Sequence, residues 1–245
     1  MTSDAVATTL DDVGGRAWAT AWDDLVLGAR CPGCGAGERG LCGTCRRRLR
    51  PRPHLVPGDE LVRAAVPYDA TAARVLVAWK ERGCRVVAPD LGRLLAASVA
   101  AVVADARAPG TFVLVPVPTT RANRRRRGRD HVREIADHAV DTLAQVGLPT
   151  QVVPLLRLVR QPRDQADLSA AERRRNVAGA FAVRRATDGG GPAAVLVDDV
   201  TTTGSTLAAG ITALAGAGVP VVGAAVVAAV EIARRRTLAG RGPQG

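Results

Sequence analysis

The residues best equipped for chemistry lie in one run, Val195-Leu-Val-Asp-Asp-Val-Thr-Thr-Thr-Gly-Ser-Thr-Leu207. Ala193 to Val197 reads as a buried strand. At its carboxyl end the chain turns acidic at Asp198 and Asp199, then hydroxylated at Thr202, Thr203, Ser205 and Thr206 around Gly204, and enters a helix at about Thr206. A helix N-terminus carries unpaired N–H donors and the positive end of the dipole, so residues 202–206 can cradle a phosphate. Gly204 lets the backbone approach it closely. Two carboxylates at the strand end can accept hydrogen bonds from adjacent sugar hydroxyls, and an acid pair followed by a phosphate cup describes a clamp for ribose 5-phosphate. A capped helix with an incidental acid pair would not need four hydroxyls flanking a glycine. No Gly-Lys-Ser/Thr follows, so this is not a Walker A loop.

A second constellation is Cys31-Pro-Gly-Cys34 and Cys42-Gly-Thr-Cys45, two CxxC pairs with seven residues between them. Each pair places two thiolates on one turn, and two such turns complete a tetrahedral shell for structural zinc. Disulfides are the competing reading, but the first 24 residues have neither a basic n-region nor an apolar h-region, and the spacing is that of a metal knuckle. A closed four-thiolate site leaves no position for substrate and implies structure or partner contact. Cys84 is left over and reads as a small apolar residue.

Positive charge is concentrated in two further segments. Pro116-Val-Pro-Thr-Thr120 ends a strand and runs into Arg121, Arg124, Arg125, Arg126, Arg127 and Arg129, a basic loop suited to pyrophosphate through Pro118 and Thr119, or else a solvated face. Residues 160–176 form a polar connection longer than a compact domain needs, with Gln165, Arg173 and Asn176 as candidate contacts and a capping box from Ser169 to Glu172. Lys80 is the only lysine among 34 basic residues. Its survival in a chain that otherwise uses arginine suggests that a compact ammonium is needed there.

Val195 to Leu207 resembles the phosphoribosyl-pyrophosphate signature of type I phosphoribosyltransferases. The cysteine knuckle, Tyr68 to Lys80, Val115-Pro-Val-Pro118 with Arg124 to Gly128, Arg163 to Phe181 and the acidic loop occur in the order of the ComF family. Those are competence-associated phosphoribosyltransferase homologues that include a GntX-type branch, and the likeness covers about residues 25–230. It implies a type I phosphoribosyltransferase sheet with a hood and an N-terminal zinc finger. It also implies 5-phosphoribosyl-1-pyrophosphate as substrate, magnesium, structural zinc and a role beside a helicase-like partner in DNA uptake. Asp198, Asp199, Lys80 and Arg173 are then the catalytic candidates. Thr202, Thr203, Gly204, Ser205, Thr206, Pro118 and Thr119, with the two aspartates, bind the substrate. The connection 160–176 resembles the family's mobile catalytic loop, and Lys80 falls at the family's lysine after the first helix. Where the family usually continues Arg-Gly-Phe-Asn-Gln, this chain has Arg127-Gly128-Arg129-Asp130-His131.

These groups need a frame. Strands are expected at 62–68, 112–117, 151–158, 177–183, 193–197 and 219–230, and helices at 71–82, 89–107, 130–146 and 206–217. Alternating strands and helices with continuously apolar strands predict an α/β fold, a largely parallel sheet covered on both faces, with ligands at the carboxyl ends of the strands. The expected divisions are a lead-in at 1–24, the knuckle and a stiff proline-bearing linker at 25–58, the main domain at 59–236 and a flexible tail at 237–245. The longest apolar stretches fall short of a membrane span, and a cytoplasmic location is expected. A net charge of +11 favours an anionic partner. Contact with nucleic acid through the arginine run is one alternative, and a non-catalytic zinc-finger accessory of DNA uptake is another. Six aromatic residues are few for a protein that stacks on single-stranded bases.

Overall fold

The computed structural model describes residues 30–106, 111–160, 179–184 and 191–230. The expected lead-in, the connection carrying Gln165, Arg173 and Asn176, and the tail lie outside the described residues. The described elements are helix α1 (Gly43–Arg48), strands β1 (His54–Val56) and β2 (Asp59–Pro67), helix α2 (Ala70–Glu81), a 3-10 turn (Arg85–Val87) and helix α3 (Ala88–Asp105). Strand β3 (Phe112–Pro116), helices α4 (Arg121–Arg127) and α5 (His131–Gln145), and strands β4 (Leu156–Leu158) and β5 (Phe181–Val183) follow. Strand β6 (Ala193–Thr201), helix α6 (Ser205–Gly216) and strand β7 (Val221–Ala229) complete the order.

The five-stranded sheet runs β1-β2-β7-β6-β3 and is α/β in type, with β2, β7, β6 and β3 parallel and β1 antiparallel at the edge. Because side chains alternate along a strand, each central strand feeds two cores. Val195 and Val197 of β6 and Ala225 and Val227 of β7 face the core shared with α2, α3 and α5. Ala194 and Leu196, with Ala224 and Val226, face the core closed by Leu207 and Leu214 of α6 and by Leu156 and Phe181 of the β4-β5 pair. Both faces are covered, which explains strands that read as continuous apolar runs.

Local signals set the element ends. Asp69 caps α2, its Oδ1 accepting from the N–H groups of Thr71 and Ala72 at 2.8 Å each. Asp130 caps α5, accepting from the N–H of Arg133 at 3.4 Å. The arginine run, expected as a loop, is the short helix α4. Arginine is a good helix former, Thr120 caps the start by accepting from the N–H of Asn123 at 3.2 Å, and Gly128 stops it in the left-handed region at φ 69°. The segment expected as a stiff linker also holds regular structure. Its first residues belong to α1, and His54–Val56 adds an edge strand, the position where neighbouring prolines do not break a ladder.

The helical run Arg85–Asp105 is 21 residues, long and apolar enough by length and composition to cross a membrane, a length not evident from the apolar stretches alone. Of its most apolar window 67% is buried within the protein, as in a core helix. Ser98 inside it donates to the carbonyl of Val226 at 2.8 Å, joining α3 to β7. Helices α3 and α5 meet at Gly92, where an added Cβ would lie 2.3 Å from the Cβ of His138 and 3.0 Å from its backbone carbon. Gly92→Ala is therefore expected to lower stability by about 1–3 kcal/mol, read as a reduced midpoint in urea unfolding; an unchanged midpoint would show that the two helices separate freely.

Candidate functional site

The carboxyl ends of β3, β6 and β7 lie side by side, with Pro116 opposite Val197 and Thr201 opposite Ala229. Strand β6 extends to Thr201, past the apolar residues that predicted its end, because Asp198 to Thr201 keep the ladder to β7. Alternation along β6 sends Asp199 to the same face as Val195 and Val197, toward α2 and α5, and Asp198 to the opposite face.

Asp199 is 3% exposed. Its Oδ1 accepts the N–H of Val200 at 2.7 Å, and its Oδ2 lies 2.5 Å from Lys80 Nζ and 3.5 Å from His131 Nε2. Oδ2 is buried and has charge contacts without an aligned hydrogen bond. One carboxylate thus joins β6 to the last turn of α2 and the first turn of α5. Asp198 keeps partial exposure, and its Oδ1 accepts the N–H of Asp199 at 2.9 Å. Burial of its carboxyl, then repulsion from Asp199, pushes Asp198 up to about 8, while Lys80 pulls the other way.

The loop after β6 is ordered by its own hydroxyls. The N–H of Gly204 donates to Thr201 Oγ1 at 3.2 Å, and the hydroxyls of Thr203 and Ser205 are 2.8 Å apart. Gly204 adopts φ 70°, and as the N-cap of α6 it has no side chain to cap the helix. An uncapped N-terminus leaves backbone donors for an anion. Thr202 is exposed, Thr203 and Thr206 are half-buried, and Ser205 is buried. A cavity of about 320 Å³ adjoins the loop, lined by Tyr68, Leu76, Val77, Lys80, Val200, Thr202 and Val230. On the other flank Pro118 and Thr119 follow β3, and Thr119 Oγ1 donates to the α5 cap Asp130 at 3.2 Å.

The structure thus brings together Lys80, Asp198, Asp199 and Thr202–Thr206, with Pro118 and Thr119 on the neighbouring strand end. Arg173 falls outside the described residues. A layer that spacing alone did not reveal stands behind the pair. Trp79 is fully buried, and its indole N–H donates to Glu134 Oε2 at 3.1 Å. Its ring meets that of His131 edge-on with centroids 5.4 Å apart. Arg129 lies 5.6 Å over the same ring, pairs with Glu134 Oε2 at 2.5 Å and donates to the carbonyl of Trp79. Arg85 holds the other oxygen of Glu134 at 3.1 Å. The Arg129-Asp130-His131 run was the available signal, since each residue of it takes a defined place here.

The knuckle is a separate site. Cys31, Cys42 and Cys45 are buried, Cys34 is exposed, and the four sulfurs lie within 4.8 Å of one another. Tetrahedral zinc with bonds of about 2.3 Å sets sulfurs about 3.8 Å apart, so the cluster is compatible with zinc. Burial works to raise the Cys31 thiol, but the backbone N–H groups of Cys42, Cys34 and Gly33 and the Cys42 thiol outweigh it and bring it down to about 6. Burial and then the neighbouring thiols push Cys45 well up. Thiolates crowded in this way call for a cation. The knuckle also rests on α2: Arg74 donates to the carbonyl of Gly33 at 2.6 Å, and a Cβ on Gly33 would lie 2.7 Å from Cys45 Sγ. Metal analysis is expected to find about one zinc per chain, lost in Cys45→Ser; a metal-free wild type with paired cysteines would replace zinc by disulfides.

No curated protein matches the chain. The family model for the phosphoribosyl transferase domain matches residues 72–240.

Proposed function

Because the chain belongs to the phosphoribosyl transferase domain family, we propose that it binds 5-phosphoribosyl-1-pyrophosphate with its magnesium and transfers the phosphoribosyl group to a nucleophile, releasing pyrophosphate. The observation that carries this reading is the acid pair at the end of β6 leading into an uncapped helix N-terminus ringed by hydroxyls. Thr202, Thr203, Ser205 and Thr206, with the backbone N–H groups around Gly204, receive the 5-phosphate. Asp198 accepts from the ribose hydroxyls. Pro118 and Thr119 bound the pyrophosphate, and Lys80, 25% exposed at its side chain, turns its ammonium toward it.

As the bond from the anomeric carbon to the pyrophosphate oxygen breaks, the sugar becomes oxocarbenium-like and negative charge builds on the leaving group. Fixed positive charge beside the leaving group lowers that barrier. Magnesium bound with the substrate would supply further neutralisation of the charge on the leaving group. Arg173 is the further candidate for positive charge beside the leaving group, and exclusion of water from the site would keep the cation from being trapped.

The knuckle ahead of the domain supports the finer ComF-type assignment, with a function beside a helicase-like protein in DNA uptake in the cytoplasm. The exposed Arg124, Arg125 and Arg126 of α4 favour a second reading, an accessory that contacts nucleic acid backbones.

Calorimetric titration of the magnesium complex of 5-phosphoribosyl-1-pyrophosphate is expected to show binding to the wild type that is lost in Asp198→Asn/Asp199→Asn. Absence of binding to the wild type removes the transferase reading. The raised Asp198 supplies a pH signature. Burial and the neighbouring Asp199 favour its neutral carboxyl in the free protein, whereas ribose hydroxyls donate to the ionised form. Binding should therefore release a proton, and affinity should rise from pH 6 to pH 9; a flat profile excludes Asp198 as the hydroxyl acceptor. By linkage, a carboxyl with a raised folded-state value stabilises the fold fully only below its unfolded value near 3.8. Its contribution is lost as pH climbs toward about 8.

A further inference from the structure

Resting on the transferase reading, the geometry points to His131 as a positioning residue for the reaction: it partners the buried carboxylate of Asp199 when Lys80 turns from that carboxylate to the pyrophosphate. In the ligand-free structure Lys80 and His131 both face Asp199 Oδ2, at 2.5 and 3.5 Å. The two nitrogens differ in freedom. Lys80 ends a long side chain 25% exposed and lines the cavity beside Thr202, so its ammonium can reach an anion placed there. His131 has a side chain 8% exposed, wedged against Trp79, and cannot leave.

Asp199 cannot follow the lysine either. Its side chain is 5% exposed and its Oδ1 is committed to the N–H of Val200. A buried carboxylate whose cation departs pays the full cost of an unpartnered charge, which opposes the departure. The imidazole Nε2, already 3.5 Å away, needs only a small approach to donate to Oδ2. The ring it packs against is itself fixed: the Trp79 indole donates to Glu134, Arg129 pairs with Glu134, and the Arg129 guanidinium lies 5.6 Å over the Trp79 ring. This gives the Arg129-Asp130-His131 run a role: Asp130 caps α5, Arg129 fixes Trp79, and His131 covers Asp199. A glutamine at position 131 would also carry an N–H donor.

The test uses titration of the magnesium complexes of 5-phosphoribosyl-1-pyrophosphate and of inorganic pyrophosphate into the full chain. His131→Phe keeps a ring against Trp79 but removes the donor. It is expected to weaken both complexes about ten-fold or more, and His131→Gln should restore affinity to within about three-fold of wild type. In a Lys80→Met background there is no cation to release, so His131→Phe should cost less than about two-fold; equal losses with and without Lys80 would reduce His131 to a packing role and overturn the inference. Affinity unchanged in His131→Phe also overturns it while leaving the transferase reading intact. A wild type that binds neither complex sinks both. Should the phenylalanine variant not fold, the wild type alone decides: with only three histidines in the chain, the ¹⁵N resonance of His131 Nε2 is expected to move on saturation with either complex, and an unmoved signal overturns the proposal.

Discussion

A carboxylate carried into the interior at the end of a central strand must meet positive charge, and much of this fold is arranged around meeting that demand at Asp199. Strand β6 is paired on both sides, so its alternation leaves no freedom over which face Asp199 takes. Helix α2 must end where Lys80 reaches it, and α5 must begin where His131 does. The buried Trp79, the glycine contact between α3 and α5, and the Asp69 and Asp130 caps can be read as the means by which two helix ends are brought to one oxygen.

The two aspartates then divide labour by parity. Asp199 faces the helices and is matched internally, whereas Asp198 faces the opposite side, keeps partial exposure and tends toward its neutral form. Like charges on adjacent residues push ionisation values apart, and here the lysine sits nearer one of them.

Much of this frame was legible in the sequence because its signals are local. The apolar runs 112–117, 193–197 and 219–230 correspond to β3, β6 and β7, and the period of α2, α3, α5 and α6 gave their extents to within a few residues. Gly204 and the hydroxyls around it announced the turn into α6, and CxxC spacing announced the cysteine cluster. What escaped depends on distant partners. His54–Val56 becomes a strand only because β2 lies beside it, and Asp198 to Thr201 stay extended because β7 continues opposite them. The arginine run looked like a loop because its charge masked good helix propensity between a cap and a stopping glycine. The grip of Arg129 and Glu134 on Trp79 joins residues about 50 positions apart, which no spacing rule encodes.

Lys80 is also the chain's one lysine. Its ε-amine is the chain's single side-chain primary amine open to reductive methylation, and it stands at the rim of the cavity with a carboxylate 2.5 Å away. A label placed on a lysine side chain of this protein therefore reports on the rim of that cavity. A fluorophore or isotopic methyl group attached through lysine chemistry would sit beside Asp199, and occupancy of the cavity would be written into the labelling rate.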